Sequence, residues 1–486
     1  MSAPEITALP APPPLDHATV RAIMVAIMFP MFLGALDSTI VATALPAIAT
    51  SLNDFDNISW VVTAYLLAAT VATPLYGKLS DIHGRRTMML IAIGFVLAGS
   101  LVSANSRDLG TLVVGRVLQG LGGAGVIPLA QAIVAEITTP MERPRYQGYT
   151  SAMFMSSTLI GPVLGGVISD YLHWSVIFWL NLPLTFIAFA VVAIVLRKLP
   201  RHDRPHKLDI LGAALMMSAG LALMLAMTWG GRRYPWLSPQ VLGLFGVSAL
   251  LWAGFGWRVV RAPEPFVPLS ILSNKIVRNA TAASFFGVGT IIGLTILIPL
   301  YLKIGLGLSA TLAGAAVIAL QGGATVTSIA STFLIVRMVH YMRVPLFAVA
   351  IAFVALTVLV IEPLALPLWM ILILVTMIGI GVGPMFPISI ITIQNVVAPR
   401  QLGIATGVMG FFRTLGGTFI VAAFGAIMLG GAEMQAGTVA ADPNVFRWVF
   451  AAAIGCLLAA FAACWGIEEL PFRGPGELIG ETTPRL

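Results

Sequence analysis

Apolar stretches of about 20 residues or more recur from one end of the chain to the other, separated by short segments rich in Gly, Pro and charge. Such runs read as membrane-spanning helices, because a rise of about 1.5 Å per residue needs roughly 20 apolar positions to cross the hydrocarbon. Only helices of this kind satisfy their own backbone groups in lipid without closing into a barrel. The pattern predicts fourteen of them, over 20–50, 59–77, 87–105, 109–136, 146–169, 175–196, 209–229, 239–261, 277–301, 310–336, 344–362, 367–394, 402–430 and 445–467. The opening "MSAPEITALPAPPPLDH" reads as a disordered Pro-rich tail, and the helix after it is too long for a signal peptide.

An even number of spans puts both termini on one side. The segments "GKLSDIHGRR", "MERPRYQ" and "RKLPRHDRPHK", the stretch from Arg258 to Arg278, and Arg337, Arg343 and Arg400 all fall on one face. With the tails, that face holds about twenty Lys and Arg against about five opposite, which are Arg107, Arg232, Arg233, Lys303 and Arg447. Positive residues stay inside, so both termini are expected in the cytoplasm of a multi-pass protein of the bacterial inner membrane. The same bias accounts for the net charge of +7 without nucleic acid. The expected organisation is a cytoplasmic tail (1–19), a six-helix bundle (20–196), a basic linker with two extra helices (197–276), a second six-helix bundle (277–470) and a tail (471–486). Helices seven and eight carry few interior polar residues and are expected at the periphery. Two parallel six-helix halves around a midplane site describe a secondary transporter.

Composition narrows the chemistry. The chain of 486 residues is 58% hydrophobic and 10% charged, with a mean hydropathy of +0.96. An ordinary soluble domain is about 25% charged, so the all-α polytopic class stands. His17, His83, His173, His202, His206 and His340 lie in tails, loops or helix ends without metal-ligand spacing, so no metal site is expected. Cys456 and Cys464 sit eight residues apart on one helix, roughly 12 Å along its axis, and cannot pair. No clustered catalytic groups point to an enzyme, no selectivity ring to a channel, and no G-x-x-x-x-G-K-[ST] loop to nucleotide hydrolysis.

One acid stands out. Asp37, in "GALDSTIVATALP", is the only one of 20 acidic residues deep within a span. A carboxylate there costs roughly 2.5–3.5 kcal/mol on insertion scales and needs a partner, a wet cavity or a proton. Arg116 and Arg413 are the basic residues at comparable depth, and either could partner it. An Asp beside a guanidinium keeps its charge and an Asp in a dry cavity takes a proton, so alternation between the two would carry a proton across. Asp37 is taken as the protonation site with Arg116 as its modulator.

Several motifs surround this acid. "GKLSDIHGRR" puts Gly77, Asp81, Gly84, Arg85 and Arg86 in a short turn. There Asp81 can meet the positive N-terminus of a neighbouring helix, and Arg85 can reach Glu136. It resembles the second-to-third helix loop of the major facilitator superfamily, with Ile82 where a basic residue is usual. "LVVGRVLQGLGGAG", with Arg116, Gly120, Gly122 and Gly123, resembles the fourth-helix signature of that family, where the arginine is tied to proton coupling. "LIGPVLGGVIS", with Gly161, Pro162, Gly165 and Gly166, resembles its antiporter signature, in which small residues permit close helix packing. "LDSTIVATALP", "VIFWLNLP" (176–183, after an atypical Ser175) and "GVMGFFRTLGG" with Arg413 resemble the fourteen-helix drug:H+ antiporter branch, the EmrB/QacA type. The resemblance spans roughly residues 20–470. The second-half counterpart of the Asp81 loop, "FLIVRMVHYMR", lacks its glycine and aspartate, so a lock there must be built differently.

The resemblance implies a major facilitator fold and a proton-driven antiporter without cofactor, exporting amphipathic small molecules by alternating access. Export of a lipid, siderophore or other metabolite on the same scaffold is the alternative. Polar or aromatic candidates for the substrate cavity are Tyr65, Gln119, Gln131, Asn181, Gln321, Gln394, Asn395 and Phe412. The expected partners are the amphipathic substrate, protons and the bilayer, with a periplasmic adaptor optional and a monomer as the functional unit.

Overall fold

The computed structural model describes residues 16–55, 57–199, 208–231, 233–335, 337–338, 340–398, 401–430, 432–435, 438–441 and 445–470. Fourteen helices among them are long and apolar enough to cross a membrane. They are α1 (His17–Leu52), α2 (Trp60–His83), α3 (Arg85–Ala104), α4 (Leu109–Ile137), α5 (Arg143–Tyr171), α6 (Val176–Lys198), α7 (Ile210–Trp229), α8 (Pro239–Arg261), α9 (Lys275–Gly305), α10 (Leu312–Ile335), α11 (Arg343–Ile361), α12 (Leu368–Val396), α13 (Leu402–Met428) and α14 (Val445–Trp465). Each corresponds to a span read from the hydropathy pattern. A two-stranded antiparallel hairpin, Ala432–Gln435 with Thr438–Ala441, joins α13 to α14.

Short polar side chains start many of these helices. Asp108 accepts from the Thr111 amide at 2.8 Å and its hydroxyl at 2.7 Å, and Asn274 accepts from the Ile276 and Val277 amides. Asn53, at φ 50°, closes α1 in the left-handed conformation that Asn tolerates.

Four boundaries differ from expectation. The first tail was placed at 1–19, but α1 begins at His17 behind its Asp16 cap. The turn expected at 77–86 is almost wholly helix: α2 runs on to His83, and Gly84 alone, at φ 88°, separates it from α3. Polar residues end a hydropathy signal before they end a helix. The span at 367–394 is broken between Val382 and Met385, where Pro384 cannot donate to the ladder. The last turn of α9, Tyr301–Gly305, widens to π geometry just after Pro299. The tails at 1–15 and 471–486, most of the basic linker (200–207, with His202 and His206), Arg232 and Arg400 lie outside the described residues.

The two sets of six helices pair in the same way. In the first, α1 packs on α5 and α6, α2 and α3 on α4, and α3 on α6. In the second, α9 packs on α13 and α14, α10 and α11 on α12, and α11 on α14. Each set has its own core, built in the first around Ile23, Ile27, Ile93 and Leu129 and in the second around Leu294, Tyr301, Leu356 and Phe450. Two equivalent seams join them, α2 on α13 and α5 on α10.

Helices α7 and α8 lie outside the α2–α13 seam and touch both sides of it. Trp229 meets Trp60 of α2 edge-on, Gly220 admits the Phe411 ring of α13, and Trp252 stacks on Phe412 at 6.0 Å. The pair is pinned by buried Asp209, which accepts from Arg258 Nε (3.0 Å), the Gly212 amide (3.1 Å) and the Phe266 amide (3.2 Å).

Removing a member of an enclosed ion pair costs about 3–5 kcal/mol, and partial exposure of Arg258 reduces this. Asp209→Ala is therefore expected to destabilise the protein by about 2–3 kcal/mol. Thermal unfolding in detergent checks this, and an unchanged midpoint would mean that the clamp is dispensable.

Candidate functional site

Asp37 sits in the middle of α1, buried against α4 and α6. Its Oδ2 accepts from Arg116 Nη1 at 2.6 Å, and its Oδ1 from Asn181 Nδ2 at 2.6 Å and from Gln119 Nε2 at 3.5 Å. Arg116 is 1% exposed. It also donates to the Val61 carbonyl (3.0 Å) and Gln119 Oε1 (2.8 Å), and lies over the Tyr65 ring at 4.5 Å. Gln119 passes the network to Ser100 Oγ at 3.0 Å. Five helices, α1, α2, α3, α4 and α6, thus converge on one carboxylate. The geometry follows from helix periodicity: Arg116 and Gln119, three apart, share a face, while Gly115, Gly120 and Gly122 let α2 and α3 approach too closely for any Cβ.

Of the two deep arginines, Arg116 is the partner of Asp37 in this structure. Arg413 faces a central cavity between the two helix sets, of about 270 Å³, lined by Ser38, Tyr65, Thr73, Gln131, Phe386 and Thr406 among others. A second space of about 20 Å³, lined by Asp37, Tyr65, Gln119 and Thr185, adjoins it and shares Gly34, Tyr65 and Gly123 with it. From Ser38 in the cavity wall, Ala42 and Pro46 continue an exposed stripe along α1 toward the end away from Asp81.

The cavity candidates divide. Tyr65 and Gln131 line the central cavity, with Gln131 also exchanging hydrogen bonds with Gln147. Gln119 and Asn181 do not line it, because their amides bond Asp37. Phe412 turns away to Trp252, since neighbours on a helix face in different directions and Phe412 takes the α8 side. Gln321 donates to Thr295 Oγ1 at 3.5 Å, and Asn395 donates to the Leu470 carbonyl at 3.5 Å, at the end that carries Asp81.

Gln394 belongs to a bridge between the halves that sequence reading missed. Arg143, counted there as a loop residue, is the buried first residue of α5. It donates to the Gln394 carbonyl and the Ala135 carbonyl, each at 2.8 Å, while Gln394 Nε2 donates to the Gln131 carbonyl at 3.2 Å. Nothing in its sequence context sets Arg143 apart from its exposed neighbours.

The α2–α13 seam is closed by Asp81, in the last turn of α2. It accepts from the Gly403 amide (3.2 Å) and the Ile404 amide (3.0 Å) at the N-terminus of α13, and from Arg85 at 2.6 Å. Arg85 also bonds Ser80 Oγ and Glu136 (3.3 Å). Gly77 is there because a Cβ would overlap the Gly403 carbonyl. Arg86 stands apart and ties α3 to the Ala193 carbonyl of α6. The counterpart turn of the second half is held by Glu469, which accepts from the Met342 amide at 3.0 Å and contacts His340 Nδ1 at 2.9 Å. In the antiporter signature, Gly161 and Gly165 pack on Thr39 and Thr43 of α1, whereas Gly166 faces open space and Pro162 is exposed.

The sequence model described as Major Facilitator Superfamily matches residues 27–421. An uncharacterized MFS-type transporter of Mycobacterium tuberculosis is 32% identical over 427 residues, covering 88% of this chain, and the chain spans 62% of that relative's length. The multidrug transporter protein MdtP of Bacillus subtilis is 31% identical over 400 residues, covering 82% of this chain and 73% of the relative. The crystal structure of the human organic anion transporter MFSD10 (TETRAN) superposes with a TM-score of 0.63 at 17% identity, covering 92% of this chain and all of that one.

Arg116→Ala strands a buried carboxylate and is expected to destabilise the protein by roughly 3–5 kcal/mol. Adding Asp37→Asn should restore much of that loss, because the neutral amide needs no counter-ion. A double-mutant cycle on melting in detergent reads the coupling, and strictly additive effects would exclude it.

Proposed function

Because the chain belongs to the major facilitator superfamily, we propose that it is a proton-coupled antiporter that exports amphipathic small molecules by alternating access. The observation that carries this reading is Asp37, a mid-span carboxylate held by Arg116 beside a cavity between two repeated helix sets. The multidrug name of the Bacillus relative favours an export role. The excess of Lys and Arg around the Asp81 end favours a cytoplasmic location for that end. With the Asp81 and Arg143 seams closed, the arrangement is then the outward-facing one.

In this scheme a proton arrives from the outer side through the central cavity. The space behind Tyr65 has room for about one water, with polar groups to orient it. Protonation of Asp37 neutralises the acceptor of three donors and frees Arg116 from its anion. Two of the affected helices, α2 and α4, also contact α13, so loosening the network favours separation of the α2–α13 contact. On the inner side the proton leaves, Arg116 recaptures the carboxylate, and the seam re-forms around Asp81. Substrate moves outward with the opposite phase.

Asp37→Asn fixes the neutral form. It is expected to abolish substrate-induced proton release and gradient-driven uptake into everted vesicles, while downhill exchange survives. Asp37→Glu should retain partial activity. Proton release from Asp37→Asn equal to that of the unmodified protein would move the coupling site elsewhere.

The Asp81 contact with α13 should govern conformation rather than affinity. Asp81→Asn weakens two charge-assisted bonds and the pair with Arg85, so transport is expected to fall about tenfold or more. Ligand affinity in detergent should stay within about threefold, which equilibrium binding on the same preparation can check.

A further inference from the structure

We propose that the central cavity takes amphipathic compounds bearing one carboxylate, which Arg413 receives. The inference rests on reading this cavity as the substrate site and names the class of substrate.

Arg413 is the one charged residue in the cavity lining among the described residues. Its guanidinium has no hydrogen-bond or ion-pair partner among them, and its carbon lies over the Phe386 ring, 4.5 Å from the centroid. An arginine at a helix break could instead be spent on backbone carbonyls, but Arg413 makes no such bond among the described residues. Nor does Asp37 neutralise it, since that carboxylate is bound to Arg116, Asn181 and Gln119 on the far side of Tyr65. A partly enclosed guanidinium without an anion is costly, and its planar fork matches a carboxylate in two parallel bonds.

Thr406 is a second, independent sign. It lies two turns before Arg413 on α13, about 10 Å along the axis, and lines the same cavity. Its hydroxyl is buried and has no hydrogen-bond partner among the described residues. The remaining walls are largely apolar, with Met31, Leu66, Phe154, Ile390 and Met409. The cavity thus offers one positive fork, the open Thr406 hydroxyl and a largely apolar enclosure. A lipophilic cation entering it would meet Arg413 with no acid in the lining to offset it.

Three probes with a common body test the charge preference: pyrenebutanoate, its primary amide, and the corresponding pyrenebutyl trimethylammonium. Binding to the full-length protein in detergent, without a pH gradient, is measured by equilibrium dialysis against detergent alone. The carboxylate should bind about tenfold tighter than the amide, and the ammonium weakest. Arg413→Gln should erase the tenfold preference while amide affinity stays within about twofold, and Arg413→Lys should keep part of it. Equal affinities, binding of no probe, or a preference that survives Arg413→Gln would overturn the proposal. Loss of all three probes in both variants would also overturn it, by making Arg413 a structural residue. Arg413-dependent carboxylate binding without substrate-induced proton release would contradict only the coupling proposed above.

Discussion

The pair between Asp37 and Arg116 is the constraint around which the first half is organised. Neither charge is tolerable alone in an apolar bundle, and each completes its shell from a different helix. Asn181 on α6, Gln119 on α4, Ser100 on α3 and the Val61 carbonyl on α2 all enter the network. The approach that brings them together depends on the glycines of α4, because the contacts of Gly115, Gly120 and Gly122 leave no room for a Cβ. Packing and electrostatics therefore meet on the same turns of α4. A change in the charge of Asp37 alters the energetics of several helix contacts at once.

Those contacts lead to the seams. The two halves repeat their internal pairings, so the α2–α13 and α5–α10 interfaces are equivalent in architecture. Their chemistry is not. One seam is closed by a carboxylate on a helix N-terminus, with Gly77 set against Gly403. Beside the other, an arginine at the start of α5 donates to the backbone of α12, and Ser151 and Ser328 share a hydrogen bond at 2.9 Å. Each uses charge-assisted bonds to backbone groups, which hold while the halves are in register and part as a unit. Helices α7 and α8 straddle the first seam through Trp60–Trp229 and Trp252–Phe412, so any opening there must also repack aromatic rings.

The central cavity lies between these features and separates two kinds of charge. Asp37 is enclosed behind Tyr65 with its own cation, while Arg413 faces the cavity with no anion beside it among the described residues. The division lets the carboxylate of Asp37 and the guanidinium of Arg413 differ in sign while they border adjoining spaces. A single carboxylate exposed in the same cavity would have bound Arg413 and tied the halves together.

The helix count, the paired six-helix sets with two extra spans and the isolated deep acid were all legible in the sequence. Hydropathy and charge density are local properties, and lipid imposes them on every span separately. The motif around Asp81 also gave its role at a helix N-terminus, but not which helix, because Gly403 lies 322 residues away. Tertiary structure alone decided that Arg116 rather than Arg413 meets Asp37, and that Asn181, 144 residues distant, turns inward to the other oxygen of the same carboxylate. It also turned Phe412 to α8 and brought Arg143 out of an ordinary basic loop to bridge the halves. The physical reason is common to all of these. The pattern along a helix fixes which residues share a face, whereas the rotation and depth at which that face meets another helix depend on close packing among segments far apart in the chain.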